Sequence, residues 1–151
     1  QVMELAVGVA RAGGVPVVAP PSVRHGGWAP VVRQVEGFEE VGDLVRTERA
    51  MLEEGRLAVV TPTEHRDTVL KALRKALAED QVATGADGLD APVAVLTPRE
   101  VKGLEFDCVV VVEPADIVAG SPRGGNDLYV AMTRPTQRLV VAYRSELPAG
   151  F

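Results

Sequence analysis

Apolar residues follow two different patterns along the chain: nearly continuous runs and helical spacing. Nearly unbroken apolar runs predict buried strands, because a strand covered on both faces does not alternate. The predicted strands are 15–19, 29–35, 57–60, 93–96, 108–112 and 139–143. Apolar positions at helical spacing predict helices at 2–10, 38–54, 63–77 and 126–133. Strands that alternate with helices indicate an α/β fold with a three-layer parallel sheet.

Polar and turn-forming residues divide these elements. Clusters of Gly, Pro and Ser predict loops at 20–27, 80–91 and 119–125. Thr63 and Asn126 are predicted to cap the helices that follow them. Pro30, which lacks a donor, favours an edge position for the strand 29–35. Ligands of parallel α/β sheets gather at the C-terminal ends of strands, so we expect residues 97–105, after the strand 93–96, at that edge.

Composition narrows the class of protein. The 151 residues suit one domain, and the net charge of −5 argues against a basic nucleic-acid footprint over the whole surface. No apolar stretch approaches the roughly 18 residues of a membrane span. The single cysteine, Cys108, excludes an internal disulfide and fits a reducing, cytoplasmic location. The chain opens at Gln1 inside a predicted helix, so we expect a fragment of a larger parent protein.

The segment around Lys102, Gly103 and Glu105 carries three groups that can contact a nucleotide. Gly103 lets backbone approach a ligand closely, because it has no Cβ. Glu105 offers a carboxylate to ribose hydroxyls, and Lys102 offers a cation to phosphate. A solvated turn before the next strand explains the same residues, since short motifs often match by chance.

Thr97 and Arg134 also have two explanations each. Thr97 with Glu100 fits a capping box, and a capped helix end can also face a phosphate. Arg134 follows an apolar helix, where it satisfies the last carbonyls or supplies a planar cation to a transferring phosphoryl group. His25 and His65 have no ligand-like spacing, so no metal site is predicted. Cys108 opens an apolar strand, which favours a structural role over a nucleophilic one.

Two longer motifs resemble a known family. Leu96-Thr-x-x-x-x-Lys-Gly-Leu-Glu-Phe-Asp107 and Leu128-Tyr-Val-Ala-Met-Thr-Arg134 are similar to motifs V and VI of superfamily 1 helicase-like ATPases of the UvrD/PcrA kind. They occur in the family's order and cover residues 96–112 and 126–141. Arg99 and its neighbours, with the ending 136–139, are most similar to the HelD type, which displaces RNA polymerase from nucleic acid with the help of nucleotide.

The resemblance implies that residues 1–151 form a single RecA-like domain, the second motor lobe called 2A. It implies that Arg134 is the catalytic contact to the γ-phosphate, that Glu105 binds ribose and that Gly103 lines the nucleotide. Thr97 and Arg99 would face nucleic acid. The implied partners are ATP with Mg²⁺ in the full-length parent, the parent's first RecA-like lobe, RNA polymerase and DNA, with no membrane.

The sequence departs from the family in informative places. Arg99 stands where many relatives carry His, and Pro135 replaces the usual Ala and should end the helix sharply. The family's Asn-Tyr-Arg-Ser motif is absent and would fall just before Gln1. No G-x-x-x-x-G-K-[ST] phosphate loop exists in the chain. We therefore expect that these residues alone do not hydrolyse ATP.

Three functions remain open from the sequence. The first is a motor lobe of an ATP-dependent helicase or translocase that remodels or releases RNA polymerase, or acts as a true DNA helicase. The second is a polymerase-docking module with little catalytic role, which the acidic balance and the scarcity of aromatic residues favour. The third, an unrelated flavodoxin-like enzyme, lacks the phosphate loop that it needs after the first strand.

Overall fold

A single parallel sheet organises the protein. The computed structural model describes residues 30–52, 55–77, 81–84, 91–144 and 146–148. Six strands lie in the order β1-β6-β5-β2-β4-β3, and every neighbouring pair is parallel. The strands are β1 (Val31–Gln34), β2 (Leu57–Val60), β3 (Val82–Thr84), β4 (Val93–Leu96), β5 (Phe106–Val112) and β6 (Pro135–Tyr143).

Helices cover both faces of the sheet, as the alternating pattern predicts. They are α1 (Phe38–Leu52), α2 (Arg66–Ala76), α3 (Pro114–Ala119) and α4 (Gly124–Met132), with a 3₁₀ turn at Thr63–His65 before α2. The pair α1 and α2 shares one hydrophobic cluster with the sheet, and α3 and α4 share the other. The predicted three-layer parallel α/β fold is confirmed.

Strand β5 shows how the two layers divide the core. Val109 and Val111 belong to the cluster under α3 and α4, whereas Cys108, Val110 and Val112 belong to the cluster under α1 and α2. All five side chains are buried, which explains why residues 108–112 of this strand are all apolar. Full burial of a Val or Leu side chain contributes about 1.5–3 kcal/mol, so this central strand anchors both layers.

The helices α1 and α2 pack in close contact on their side of the sheet. A Cβ on Gly42 would lie 2.7 Å from the carbonyl oxygen of Ala72, so the backbones approach too closely for any side chain there. Acidic Glu39 and Glu40 in the first turn of α1 and basic Arg49 in its last turn suit the helix dipole. Local sequence and tertiary packing therefore agree in this layer.

Several element boundaries differ from the prediction. The strands 57–60 and 93–96 are confirmed as predicted. Strands β5 and β6 begin earlier than predicted, because ladder pairing between Phe106 and Pro135 extends them past their apolar cores. The short strand β3 lies in a predicted loop, where pairing with β4 outweighs its weak pattern.

The predicted ends of helices are partly wrong. The loop predicted at 119–125 is shorter, because α3 ends at Ala119 and α4 already begins at Gly124. Neither Thr63 nor Asn126 is an N-cap: Thr63 lies inside the 3₁₀ turn and Asn126 inside α4. The abrupt end expected from Pro135 is confirmed, since α4 ends at Met132 and β6 begins at the proline.

The predicted elements at 2–10 and 15–19, with His25, lie outside the described residues. Within the described part of the chain, no helix combines the length and apolar character needed to cross a bilayer. Of the strand predicted at 29–35, residues 31–34 form β1, which borders the described sheet, as Pro30 suggested.

Candidate functional site

The predicted site residues lie at two opposite edges of the sheet. Thr97 follows the last residue of β4 and so lies at the C-terminal edge. Glu105 and Arg134 directly precede β5 and β6, which places both at the N-terminal edge. The expectation that the whole segment 97–105 lies at the C-terminal edge is therefore wrong, because this segment is the crossover that returns the chain from one edge to the other.

The distance between the edges is set by the strands. The six steps between the seven residues of β5, at about 3.3 Å each, span roughly 20 Å. Glu105 and Arg134 are thus separated from Thr97 by the height of the sheet. Only residues between the two edges can link them.

Backbone hydrogen bonds join Arg134 to the segment that carries Glu105. The amide of Phe106 donates to the carbonyl oxygen of Arg134 at 3.2 Å. Since Glu105 is the residue before Phe106, the structure brings the backbones of the predicted ribose contact and the predicted catalytic arginine together. These two residues are 29 positions apart in the sequence, so only the pairing of β5 with β6 makes them neighbours.

The guanidinium of Arg134 is half-buried and incompletely paired. Its Nη2 donates to Thr133 Oγ1 at 3.2 Å, and that hydroxyl donates to the carbonyl oxygen of Val130 at 2.8 Å. Its Nε is buried without a hydrogen-bond partner. A buried, unsatisfied donor on a permanent cation is a site where an anionic ligand oxygen would be stabilised.

Asp107 connects three segments at the same N-terminal edge. Its Oδ2 accepts the backbone N–H of Arg56 at 2.7 Å, and its Oδ1 accepts from Gln137 Nε2 at 3.2 Å. The guanidinium of Arg56 lies 5.1 Å from the centre of the Phe106 ring. The starts of β2, β5 and β6 are therefore tied together beside Glu105 and Arg134.

The crossover 97–105 is a series of turns rather than a helix. The predicted capping box is half formed: Glu100 Oε1 accepts the backbone N–H of Thr97 at 3.0 Å, and the amides of Glu100 and Val101 donate to the Thr97 carbonyl. Gly103 has φ of +78°, and a Cβ added to it would meet no atom within 4 Å, so it provides an open, left-handed turn.

A pocket of about 290 Å³ opens at the C-terminal edge, beside Thr97 and Arg99. Thr97 is buried, whereas Arg99 is exposed. The ionisable residues that line the pocket are three acids and one base: Glu64, Asp116, Asp127 and Arg99. The pocket is therefore acidic, which opposes direct contact with phosphate groups.

Lys102 is paired with an acid instead of extending freely into solvent. Its Nζ lies 3.0 Å from Asp127 Oδ1, and the Asp127 side chain is only 10% exposed. Asp127 lies in the first turn of α4, the helix that leads to Arg134. The ion pair thus joins the crossover to α4, and a phosphate contact by Lys102 stays a prediction that requires this pair to open.

Cys108 and His65, which the sequence does not favour as site residues, each have a well-defined environment in the structure. Burial, with a smaller contribution from Glu48, raises the pKa of Cys108 to about 12, so its thiol stays protonated at neutral pH. His65 lies 2.8 Å, through Nε2, from Asp116 Oδ2. The contact joins residues 51 positions apart, and no spacing in the sequence indicates it.

Asp127 is the other residue that sequence reasoning missed. A lone acid in the first turn of a helix normally suits the helix dipole and needs no further explanation. Its role as the partner of Lys102 depends on how the crossover folds back onto α4. The only sequence signal for this contact is that the crossover 97–105 must run from the end of β4 to the start of β5, and so past α4.

Comparisons with known proteins find similarity to helicase C-terminal domains. Residues 92–142 match the family model described as the UvrD-like helicase C-terminal domain. That segment contains β4, the crossover, β5, α3, α4 and nearly all of β6. No curated protein compared with the chain matches it.

One solved structure extends the likeness of the fold to most of the chain. The C-terminal domain of a possible DNA helicase from Lactobacillus plantarum WCFS1 has a TM-score of 0.69 and 23% identity, over 96% of this chain and 87% of that chain. The Hef helicase domain from Pyrococcus furiosus has a TM-score of 0.46 and 18% identity, over 72% of this chain and 25% of that chain.

The first of these structures establishes the fold. The chain shares the parallel α/β fold of that RecA-like C-terminal domain, as the sequence predicts. Within that fold, the part of the chain that carries both predicted motifs is similar to the UvrD-like C-terminal domain.

Proposed function

We propose that this chain is the second motor lobe, domain 2A, of a UvrD-like ATP-dependent helicase or translocase. In this proposal residues 1–151 are a single lobe, and a first RecA-like lobe of the same parent supplies the rest of the ATP site. The observation that carries the proposal is the hydrogen bond from Phe106 to the Arg134 carbonyl, which holds the ends of both motifs at one edge. The match of residues 92–142 to the UvrD-like domain supports it.

The residues present fit part of a nucleotide. The unsatisfied Nε of Arg134 suits a γ-phosphate oxygen, the exposed carboxylate of Glu105 suits ribose hydroxyls, and the open turn at Gly103 leaves room for a ligand. Mg²⁺ would neutralise charge on the β- and γ-phosphates. The chain has no phosphate loop, so the first lobe would hold that ion and the β-phosphate.

The motor mechanism then depends on closure of a cleft between two lobes. In the open state Arg134 is held by Thr133 and by the start of β6. Closure carries its planar cation to the γ-phosphate, where it stabilises charge that develops during transfer. Because Thr97 and Arg99 lie at the opposite edge, movement of the whole lobe would shift a nucleic acid bound there.

A narrower version of the proposal assigns RNA polymerase as the partner. It rests on the similarity of residues 98–100 and 136–139 to HelD-type proteins, which displace polymerase from nucleic acid. A cytoplasmic location follows from this version, since both ATP and polymerase are found there. The parent would then remodel or release polymerase, with DNA as a second partner.

A second candidate function is a polymerase-docking module with little catalytic role. The acidic pocket at the C-terminal edge favours it over a true DNA helicase lobe, because Glu64 and Asp116, which have no paired lysine or arginine within the residues that the structure describes, as Asp127 does, repel phosphate. A true helicase lobe would need basic groups from elsewhere to overcome that repulsion.

Two measurements test the proposals. First, ATP turnover is measured for the full-length parent and for residues 1–151 alone, and we expect turnover only in the parent. Turnover by the isolated chain above background, or none in the parent, would contradict the shared site. Second, polymerase pull-down is compared with DNA binding at rising salt. Polymerase capture without salt-dependent DNA binding supports docking, whereas tight, strongly salt-dependent DNA binding supports a helicase.

A further inference from the structure

Three metal-ligating side chains converge at the C-terminal edge, outside the residues assigned to nucleotide. They are Glu64, His65 and Asp116, and their ligand atoms all lie within 4.8 Å of one another. Glu64 and His65 follow β2, and Asp116 follows β5, which is the neighbouring strand in the sheet. Loops after adjacent parallel strands meet at one edge, which explains how residues far apart in sequence come together.

The imidazole of His65 is held in place by its surroundings. Its ring packs against Phe38 with centroids 5.0 Å apart, and its backbone N–H donates to the Pro62 carbonyl at 3.0 Å. Phe38 is itself covered by the guanidinium of Arg144, 4.4 Å from the ring centre. The His65 side chain is only 20% exposed, so its Nε2 is directed at Asp116 by packing.

The local charge favours a cation at this place. Glu64 and Asp116 line the acidic pocket together with Asp127, whose charge Lys102 compensates. Among the described residues, no lysine or arginine forms an ion pair with Glu64, and Asp116 contacts His65, which is neutral unless protonated. A divalent ion would neutralise both carboxylates, whereas a neutral histidine neutralises neither.

We propose that Glu64, His65 and Asp116 bind a divalent first-row transition ion, with Zn²⁺ as the best fit. One imidazole nitrogen and two carboxylate oxygens suit Zn²⁺, and the nitrogen disfavours Mg²⁺, which prefers oxygen ligands. Ligands about 2.0–2.1 Å from zinc in a tetrahedron lie about 3.3 Å apart. The contact of 2.8 Å between His65 and Asp116 needs to open by only a fraction of an ångström.

The fourth position of this site would be open to solvent. Asp116 is 41% exposed and Glu64 is exposed, so water or an anionic group in the pocket can complete the coordination. A bound ion would also change the pocket from acidic to nearly neutral. This inference is independent of the proposed motor function, because it requires neither ATP nor a second lobe.

Isothermal titration of residues 1–151 with ZnCl₂ tests the site, and MgCl₂ provides the contrast. We expect one saturable zinc site and at least tenfold weaker binding of Mg²⁺. Co²⁺ absorbance provides a second readout, because the intensity of its d–d bands distinguishes a tetrahedral coordination shell from the octahedral shell of the hydrated ion. Cys108 does not compete, since its buried thiol has a pKa of about 12.

Matched substitutions identify the ligands. His65→Gln and Asp116→Asn should each weaken zinc binding by more than about tenfold. His25→Gln removes the other histidine of the chain, and Glu39→Gln removes an acid that is 86% exposed and distant in sequence, so both should bind zinc unchanged. Circular dichroism of each variant confirms that it is folded before titration.

The outcomes that overturn the site are equally definite. Absence of saturable zinc binding below about 1 mM would show that the contact between His65 and Asp116 is a structural hydrogen bond only. Equal loss of binding in His25→Gln and His65→Gln would place the metal elsewhere. Equal affinity for Mg²⁺ and Zn²⁺ would exclude the imidazole as a ligand.

Discussion

The two edges of the sheet are held together by different kinds of contact. At the N-terminal edge, backbone groups make the decisive contacts: Phe106 donates to the Arg134 carbonyl, and the Arg56 amide donates to Asp107. At the C-terminal edge, charged side chains converge on a pocket with Thr97 at its wall. Backbone contacts hold one fixed geometry, whereas side chains reorganise as their charges are satisfied. We therefore expect the first edge to be rigid and the second to respond to ligands.

The largest expected effect is at the N-terminal edge. If the proposed function holds, Arg134→Ala in the full-length parent should lower ATP turnover on the order of 10³-fold, because the transferring phosphoryl group would lose its planar cation. Steady-state kinetics with Arg123→Ala as the control measures this, since Arg123 is an exposed arginine that precedes α4 at the other edge. A loss below about tenfold would make Arg134 a structural residue and would remove the functional difference between the edges.

The next largest effect is expected where α3 packs closely against α4. A Cβ on Gly124 would lie 2.2 Å from the Val118 carbonyl oxygen and 2.4 Å from that of Ile117. Gly124→Ala should lower the free energy of unfolding of the 151-residue chain by about 3 kcal/mol, because backbone must shift. Urea unfolding measures this change.

The matched control for that substitution is Gly37→Ala. A Cβ on Gly37 meets no atom within 4 Å, so the expected change is below about 0.5 kcal/mol. Equal effects at the two glycines would show that the helices at the C-terminal edge are not closely packed, contrary to the structure.

A smaller effect is expected for the ion pair between Lys102 and Asp127, which joins the crossover 97–105 to α4. Lys102→Met leaves the Asp127 carboxylate buried without its cation, whereas Asp127→Asn leaves a lysine that is 41% exposed and can return to water. We expect Lys102→Met to cost about 2 kcal/mol and Asp127→Asn about half of that. Urea unfolding of both variants tests the order, and the reverse order would mean that the lysine is the buried partner.

The smallest effect concerns nucleic acid at the C-terminal edge. If the parent binds single-stranded DNA through Arg99, then Arg99→Ala should lower the slope of log affinity against log salt by about 0.7, which corresponds to one lost phosphate contact. Fluorescence anisotropy over a salt series measures the slope, with Arg123→Ala again as the control. An unchanged slope would assign Arg99 to the protein-docking alternative.

Sequence reasoning succeeded where one local pattern decides the structure. The runs 57–60 and 93–96 are apolar at every position, so their strands were predicted with correct bounds. Sequence reasoning failed where contacts with distant residues decide the local structure. Val82–Thr84 forms a strand only because β4 offers an edge, and Pro114–Ala119 is a short helix that follows Glu113 at φ of +52° without a side-chain cap.

The candidate site likewise has one part that the sequence predicts and one part that it does not. The motifs around Glu105 and Arg134 were visible in the sequence, since their residues are contiguous. Their location at the N-terminal edge was not predicted, because the crossover 97–105 contains no helix to reveal its return. The contacts of Lys102 with Asp127 and of His65 with Asp116 join distant segments, and no propensity or spacing encodes them.

The buried thiol of Cys108 has a practical consequence for studying movement. It is the only cysteine in the chain, and its raised pKa leaves it unreactive toward maleimides at neutral pH while the protein is folded. A cysteine introduced at an exposed position outside the proposed site, such as Arg123→Cys at the C-terminal edge or Met51→Cys near the N-terminal edge, can therefore carry a fluorophore without removal of the native cysteine. Energy transfer from either edge to a label elsewhere would then report how far each one travels during a cycle.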